Sequence, residues 1–88
     1  MLTVYTKKVC PSCTQLKHYL DREGIDYETI DLEDDAIAFD HVMSLGHRAA
    51  PVIEFGHSSA GFYRGDPKFR EIIAKAKALP HEAGLPKL

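Results

Sequence analysis

A chain of 88 residues has room for one domain built around one modest core. Its formal net charge of −2 supplies no basic field for nucleic acid or an anionic membrane surface. Met1 to Tyr5 lacks a charged segment followed by a sustained apolar run, and no later stretch has the composition to span a bilayer, so a cytoplasmic monomer is expected, with no nucleic-acid and no membrane partner.

Leu2 to Thr6 alternates Leu and Val with Thr and Tyr, a strand pattern that leads directly to the cysteines. From Pro11 to Glu23 the pattern becomes helical. Pro11 suits the first helical position, Cys13, Leu16 and Leu20 share one stripe, and Gly24 closes the end. Ile25 to Leu32 returns to alternation and predicts a second strand. The strand-helix-strand unit makes its strands parallel with a right-handed crossover, which places Cys10 at an edge of the sheet facing solvent.

The acidic run Asp31-Leu32-Glu33-Asp34-Asp35 precedes a second apolar pattern of Ala36, Phe39, Val42 and Met43 that stops at Gly46. Carboxylates in that place cap a helix and complement its dipole in preference to binding a cation. Pro51 to Phe55 predicts a short strand, Gly56-His57-Ser58 a turn, and Ser59 to Phe62 an antiparallel return. Asp66 and Pro67 read as cap and first residue of a last helix, with Phe69, Ile72, Ile73 and Ala76 at core spacing and Pro80 as its stop. Residues 80–88 carry no period and are expected to be a loosely held tail beyond a domain spanning 1–79.

Cys10 and Cys13 are the only two cysteines. A two-residue spacer closes too small a loop to restrain the unfolded chain much, which argues against a purely structural staple. The same spacing can begin a zinc ligand set, the rival reading. His18, His41, His47, His57 and His81 are scattered over different elements as surface residues, and no second compact ligand pair exists, so no metal is expected. Dithiol-disulfide chemistry is the favoured reading.

The order strand, helix, strand, helix, strand, strand, helix, with Cys-x-x-Cys at the first helix, resembles the thioredoxin fold over roughly Met1 to Leu79. The expected class is therefore α/β, order βαβαββα, a four-stranded mixed sheet with three helices. In that setting the Cys10 sulfur lies at a helix N-terminus, where free backbone amides and the dipole stabilise a thiolate. Of Lys7 and Lys8, alternation turns one toward that sulfur, and Lys7 is favoured. Cys13, on the apolar stripe, is the more sheltered thiol. This asymmetry assigns attack to Cys10 and resolution to Cys13, with Pro11 and Ser12 fixing the spacer. The resemblance also implies a cis peptide before Pro51, leaving the Ala50 backbone free to pair with an extended substrate.

Within that superfamily, Tyr5-Thr6-Lys7-Lys8-Val9-Cys10-Pro11-Ser12-Cys13 is similar to the glutaredoxins and the closely similar NrdH-redoxins, and two later segments, Gly46 to Ile53 and Ser59 to Phe62, make the chain closest to the NrdH-redoxins. Glutaredoxins generally carry Thr-Val-Pro before the third strand and Gly-Gly-Cys/Ser-Asp after the fourth, the latter gripping glutathione; neither is present. The Arg-x-x-Pro-Val loop of NrdH-redoxins is matched by Arg48 to Val52, and their Ser-Gly-Phe-Arg-Pro-Asp segment is matched in part. Here Ala60 separates Ser59 from Gly61, and Tyr63 and Gly65 interrupt Arg64, Asp66 and Pro67. The resemblance implies a small electron carrier without bound cofactor, working through a redox-active Cys10–Cys13 disulfide. Its electrons come ultimately from NADPH through thioredoxin reductase and go to ribonucleotide reductase, with glutathione disfavoured. Lys7, Pro11, Ser12, Arg48, Ala50, Pro51, Gly61 and Phe62 are the partner-binding candidates.

Overall fold

The fold is described over residues 1–78 by a computed structural model; Leu79, Pro80 and the 80–88 tail lie outside the described residues. The elements are β1 (Leu2–Thr6), α1 (Pro11–Arg22), β2 (Tyr27–Asp31), α2 (Ala36–Ser44), β3 (Val52–Phe55), β4 (Ser58–Gly61) and α3 (Pro67–Ala78). They form the predicted four-stranded mixed sheet with three helices. The strand order is β2-β1-β3-β4. β1 runs parallel to β2, with Leu2 opposite Tyr27 and Thr6 opposite Asp31. It runs antiparallel to β3, with Val4 opposite Ile53, and β3 pairs antiparallel with β4.

This order corrects one expectation. β1 is an inner strand, so Cys10 lies beyond the C-terminal end of the sheet's interior and not on an edge strand. Two-residue alternation then distributes the core. Leu2, Val4 and Ile53 point to the face covered by α1 and α3, where they meet Leu16, Leu20, Phe69, Ile72 and Ile73. Tyr5 and Val52 point to the other face and meet Ala38 and Val42 of α2, together with Leu32. The result is a helix-sheet-helix sandwich with its larger core on the α1–α3 side.

Element ends follow local chemistry. Gly24, at φ 70°, ends α1 with paired bonds from its own N–H to the Asp21 carbonyl and from Ile25 N–H to the Leu20 carbonyl. That turn carries Ile25 into the core before the strand begins, so β2 starts at Tyr27, later than alternation predicted. Gly46, at φ 91°, ends α2 in the same way. Asp35 caps α2 by accepting the Ala38 N–H at 2.9 Å, and Asp66 accepts the Lys68 N–H at the start of α3. The acidic run thus serves capping, as expected, and its other members tie down the strand end: Lys8 Nζ lies 2.9 Å from Asp31 and 2.8 Å from Asp34.

α2 presents a different face from the one predicted. Ala38 and Val42 are buried, whereas Phe39 and Met43 are 44% and 45% exposed. The small Ala38 lets the helix lie close to the sheet, and the two larger side chains fall at its margin.

Candidate active site

Both cysteines are placed by the β1–α1 junction. Pro11 takes the first position of α1 and Cys10 the cap position, where its sulfur accepts the Cys13 backbone N–H at 3.1 Å. The thiols are joined in a disulfide with their Cα atoms 5.2 Å apart. Their surroundings differ: Cys10 is partly exposed, whereas Cys13 is 2% exposed on the buried stripe with Leu16 and Leu20. Any molecule from solvent therefore meets the Cys10 sulfur first. Val9, the preceding residue, is 92% exposed and offers apolar surface beside it.

A groove of about 390 Å³ runs alongside, lined by Ser12, by 46–51 from Gly46 to Pro51, and by Gly61, Phe62 and Tyr63. The structure thus brings together Ser12, Arg48, Ala50, Pro51, Gly61 and Phe62, six of the partner-binding candidates, although they come from three parts of the chain. The Ala50–Pro51 peptide is cis, as the resemblance implied. Pro11 is exposed at the helix start. Lys7 does not line this groove. It lies in a shallow recess on the α2 side with Phe39, Met43, Arg48 and Ala50. Lys8 is held by Asp31 and Asp34, and these bonds push its ammonium pKa up.

Two participants were not singled out by the sequence. Tyr63, 67% exposed, forms a wall of the groove and follows Phe62 directly. A side chain at Gly61 would begin 2.9 Å from the Tyr63 ring, so the glycine is what lets that ring fold back over the end of β4. His47, expected at the surface, is half-buried; its Nε2 lies 2.8 Å from the Ser59 hydroxyl, which fixes the loop that carries Arg48. Aromatic pairing behind the wall is extensive: Phe62 lies 5.5 Å from Phe69 and 6.3 Å from Tyr19 between ring centres.

Among the described residues no group of three or more His, Cys, Asp or Glu side chains is placed to hold a metal ion. No helix among them is long and apolar enough to cross a membrane.

The glutaredoxin family model matches residues 2–59. The chain belongs to the glutaredoxin family. Among its relatives, the glutaredoxin-like protein NrdH of Lactococcus lactis is 36% identical over 53 residues, covering 60% of this chain and 74% of that protein. NrdH of Escherichia coli is 28% identical over 82 residues, covering 93% of this chain and 95% of its own length. The solved structure of Escherichia coli NrdH-redoxin, described as a glutaredoxin-like protein with a thioredoxin-like activity profile, superposes with a TM-score of 0.69. That match covers 78% of this chain and 91% of the other at 29% identity. A glutaredoxin-family fold with Cys10-Pro11-Ser12-Cys13 in place makes this chain a thiol-disulfide oxidoreductase close to NrdH.

Proposed function

We propose that the protein is a cytoplasmic electron carrier that takes reducing equivalents from NADPH through thioredoxin reductase and passes them to a ribonucleotide reductase. The observation that carries its chemistry is the unequal exposure of the two sulfurs. In the disulfide the Cys10 sulfur accepts the Cys13 N–H at the start of α1, and after reduction that N–H and the helix dipole would favour its thiolate. That thiolate attacks one sulfur of the partner's disulfide and displaces the other as a thiolate, which takes a proton. Cys13 then loses its proton and attacks the Cys10 sulfur, the partner's second thiol departs, and the Cys10–Cys13 disulfide forms. Two electrons have passed to the partner, and the reductase restores both thiols.

The groove from Arg48 to Pro51 and Gly61 to Tyr63 would hold the partner segment during the exchange, with the Ala50 backbone pairing to it as an added strand. The choice of reductant rests on the similarity to the NrdH proteins and on the lack of the Gly-Gly-Cys/Ser-Asp segment after β4. Glutathione-dependent turnover is the second reading, favoured by the match to the glutaredoxin family as a whole.

One coupled assay decides between them. NADPH is supplied with thioredoxin reductase, or with glutathione and glutathione reductase, and reduction of a protein disulfide is followed. Turnover is expected with thioredoxin reductase, and turnover only in the glutathione arm would overturn the reading. Cys10→Ser should abolish activity, and Cys13→Ser should trap a mixed disulfide. A Cys13→Ser protein that still cycled as a dithiol carrier would contradict the resolving role.

A further inference from the structure

A second groove, of about 590 Å³, lies on the other side of the Phe62–Tyr63 wall, with His18, Tyr19, Arg22 and Arg64 in its lining. It shares Ser12, Phe62 and Tyr63 with the first groove, so the two meet at Ser12, one of the two residues between the cysteines. Its lining contains two arginines and a histidine and no carboxylate.

The charges there are held ready and left unspent. The Arg64 guanidinium carbon sits 4.8 Å from the centre of the Tyr19 ring. Tyr19 in turn packs against Phe62 and the fully buried Phe69, at 6.3 and 6.1 Å between ring centres. A core aromatic cluster therefore orients the arginine by stacking, which leaves the hydrogen-bonding edge of its planar fork free. Among the described residues neither Arg22 nor Arg64 forms an ion pair, whereas Lys8, Lys75 and Lys77 all do. Glu23 feels both arginines, and its carboxylate is already bonded by Lys77 Nζ at 2.7 Å. On a chain with a net charge of −2, a groove that opens at Ser12 beside the cysteines and runs down α1 to Arg22 with no carboxylate in its lining is a local reversal of sign.

We infer that the Arg22–Arg64 groove selects disulfide partners whose cysteine is flanked by acidic residues, receiving the carboxylates of that flank as the segment leaves the disulfide along α1. This deepens the proposed function and rests on its exchange chemistry. Charges at such a rim act on encounter and register, so the effect appears in the second-order rate constant and weakens with salt. Two exposed pairs of this kind correspond to about two- to thirtyfold in rate.

The test is a single-turnover reaction of pre-reduced protein with three disulfide-bridged peptides of equal length, carrying acidic, neutral or basic flanks. Each rate is normalised to that of dithiothreitol with the same peptide, which removes the effect of flanking charge on the disulfide itself. The expected order is acidic over neutral over basic, compressed at high ionic strength. Arg22→Glu with Arg64→Glu should reverse it, and the milder Arg22→Gln with Arg64→Gln should abolish it, a second reading if the reversal protein fails to fold. Arg70→Glu, an equal change of charge per residue on α3 away from both grooves, should keep the wild-type order. Equal normalised rates for the three peptides, or a preference that survives in the Arg22/Arg64 variants, would overturn the inference. Failure to reduce any peptide would instead overturn the exchange chemistry beneath it.

Discussion

Tyr5 helps tie the sheet to α2 through one shared carboxylate. Its hydroxyl donates to Glu54 at 2.5 Å, and the same carboxylate lies 2.9 Å from Nε2 of His41 on α2. Burial, reinforced by the bond to Glu54 and by its charge, pushes the Tyr5 phenol far above the ordinary tyrosine range. For Glu54, burial acts upward, but the bonds from Tyr5 and His41 and the charges of His41 and His47 outweigh it and leave the carboxyl below its usual value. The signs follow by linkage. Folded Tyr5 holds its proton more tightly than the unfolded chain does, so its contribution is complete below about pH 10 and is lost as pH rises further. Glu54 contributes above about pH 4.3 and loses that contribution as pH falls. Thermal melts from neutral to strongly alkaline pH should show wild-type Tm falling more steeply above about pH 10 than that of Tyr5→Phe. Parallel curves would mean that the phenol does not couple to folding.

The helices differ in how far sequence could define them. Gly24, Gly46, Asp35 and Asp66 act through bonds to residues two to five positions away, so their capping roles were visible in the sequence. The buried face of α2 was not. Its nine residues hold apolar side chains at Ala36, Ile37, Ala38, Phe39, Val42 and Met43, enough for two competing stripes, and the choice depends on the sheet's shape. The grooves were legible only in pieces, since Ser12, Arg22, Arg48 and Tyr63 are separated by long stretches of chain. Family resemblance gathered Ser12 and Arg48 and set Arg64 in the segment after β4, and only the folded chain added Tyr63 and Arg22. Because α2 is short, its cap matters more than in a long helix. Asp35→Ala should lower stability by about 0.5–2 kcal/mol in denaturant melts. No change in midpoint would show that the Asp35 bond to Ala38 is matched by water.

At the scale of the molecule, the sandwich is lopsided. Among the described residues the α1–α3 face buries eleven in one cluster, including Phe69, Leu16, Leu20 and Ile72, and the α2 face buries five. Opening of the smaller layer exposes less apolar surface, so it lies lower on the scale of local unfolding. Amide hydrogen exchange should therefore proceed faster in the middle of α2 than in the middle of α1 or α3, and Ile72→Ala should cost more stability than Val42→Ala. Uniform protection across all three helices would contradict the two-layer account. The cysteines are anchored on the larger layer through Cys13, whereas Phe39 and Met43, which share the Lys7 recess with Arg48 and Ala50, ride on the smaller one.

Gly61 gives that arrangement one adjustable stop. A methyl group there would meet the outer edge of the Tyr63 ring, a side chain free to swing, and no backbone atom stands among its near neighbours. The ring is shared by both grooves, so pushing it outward would widen or close two binding channels at once while the sheet beneath stayed intact. Position 61 therefore sets where the ring rests, and a side chain there would alter partner access on both sides of the wall with little cost in folding.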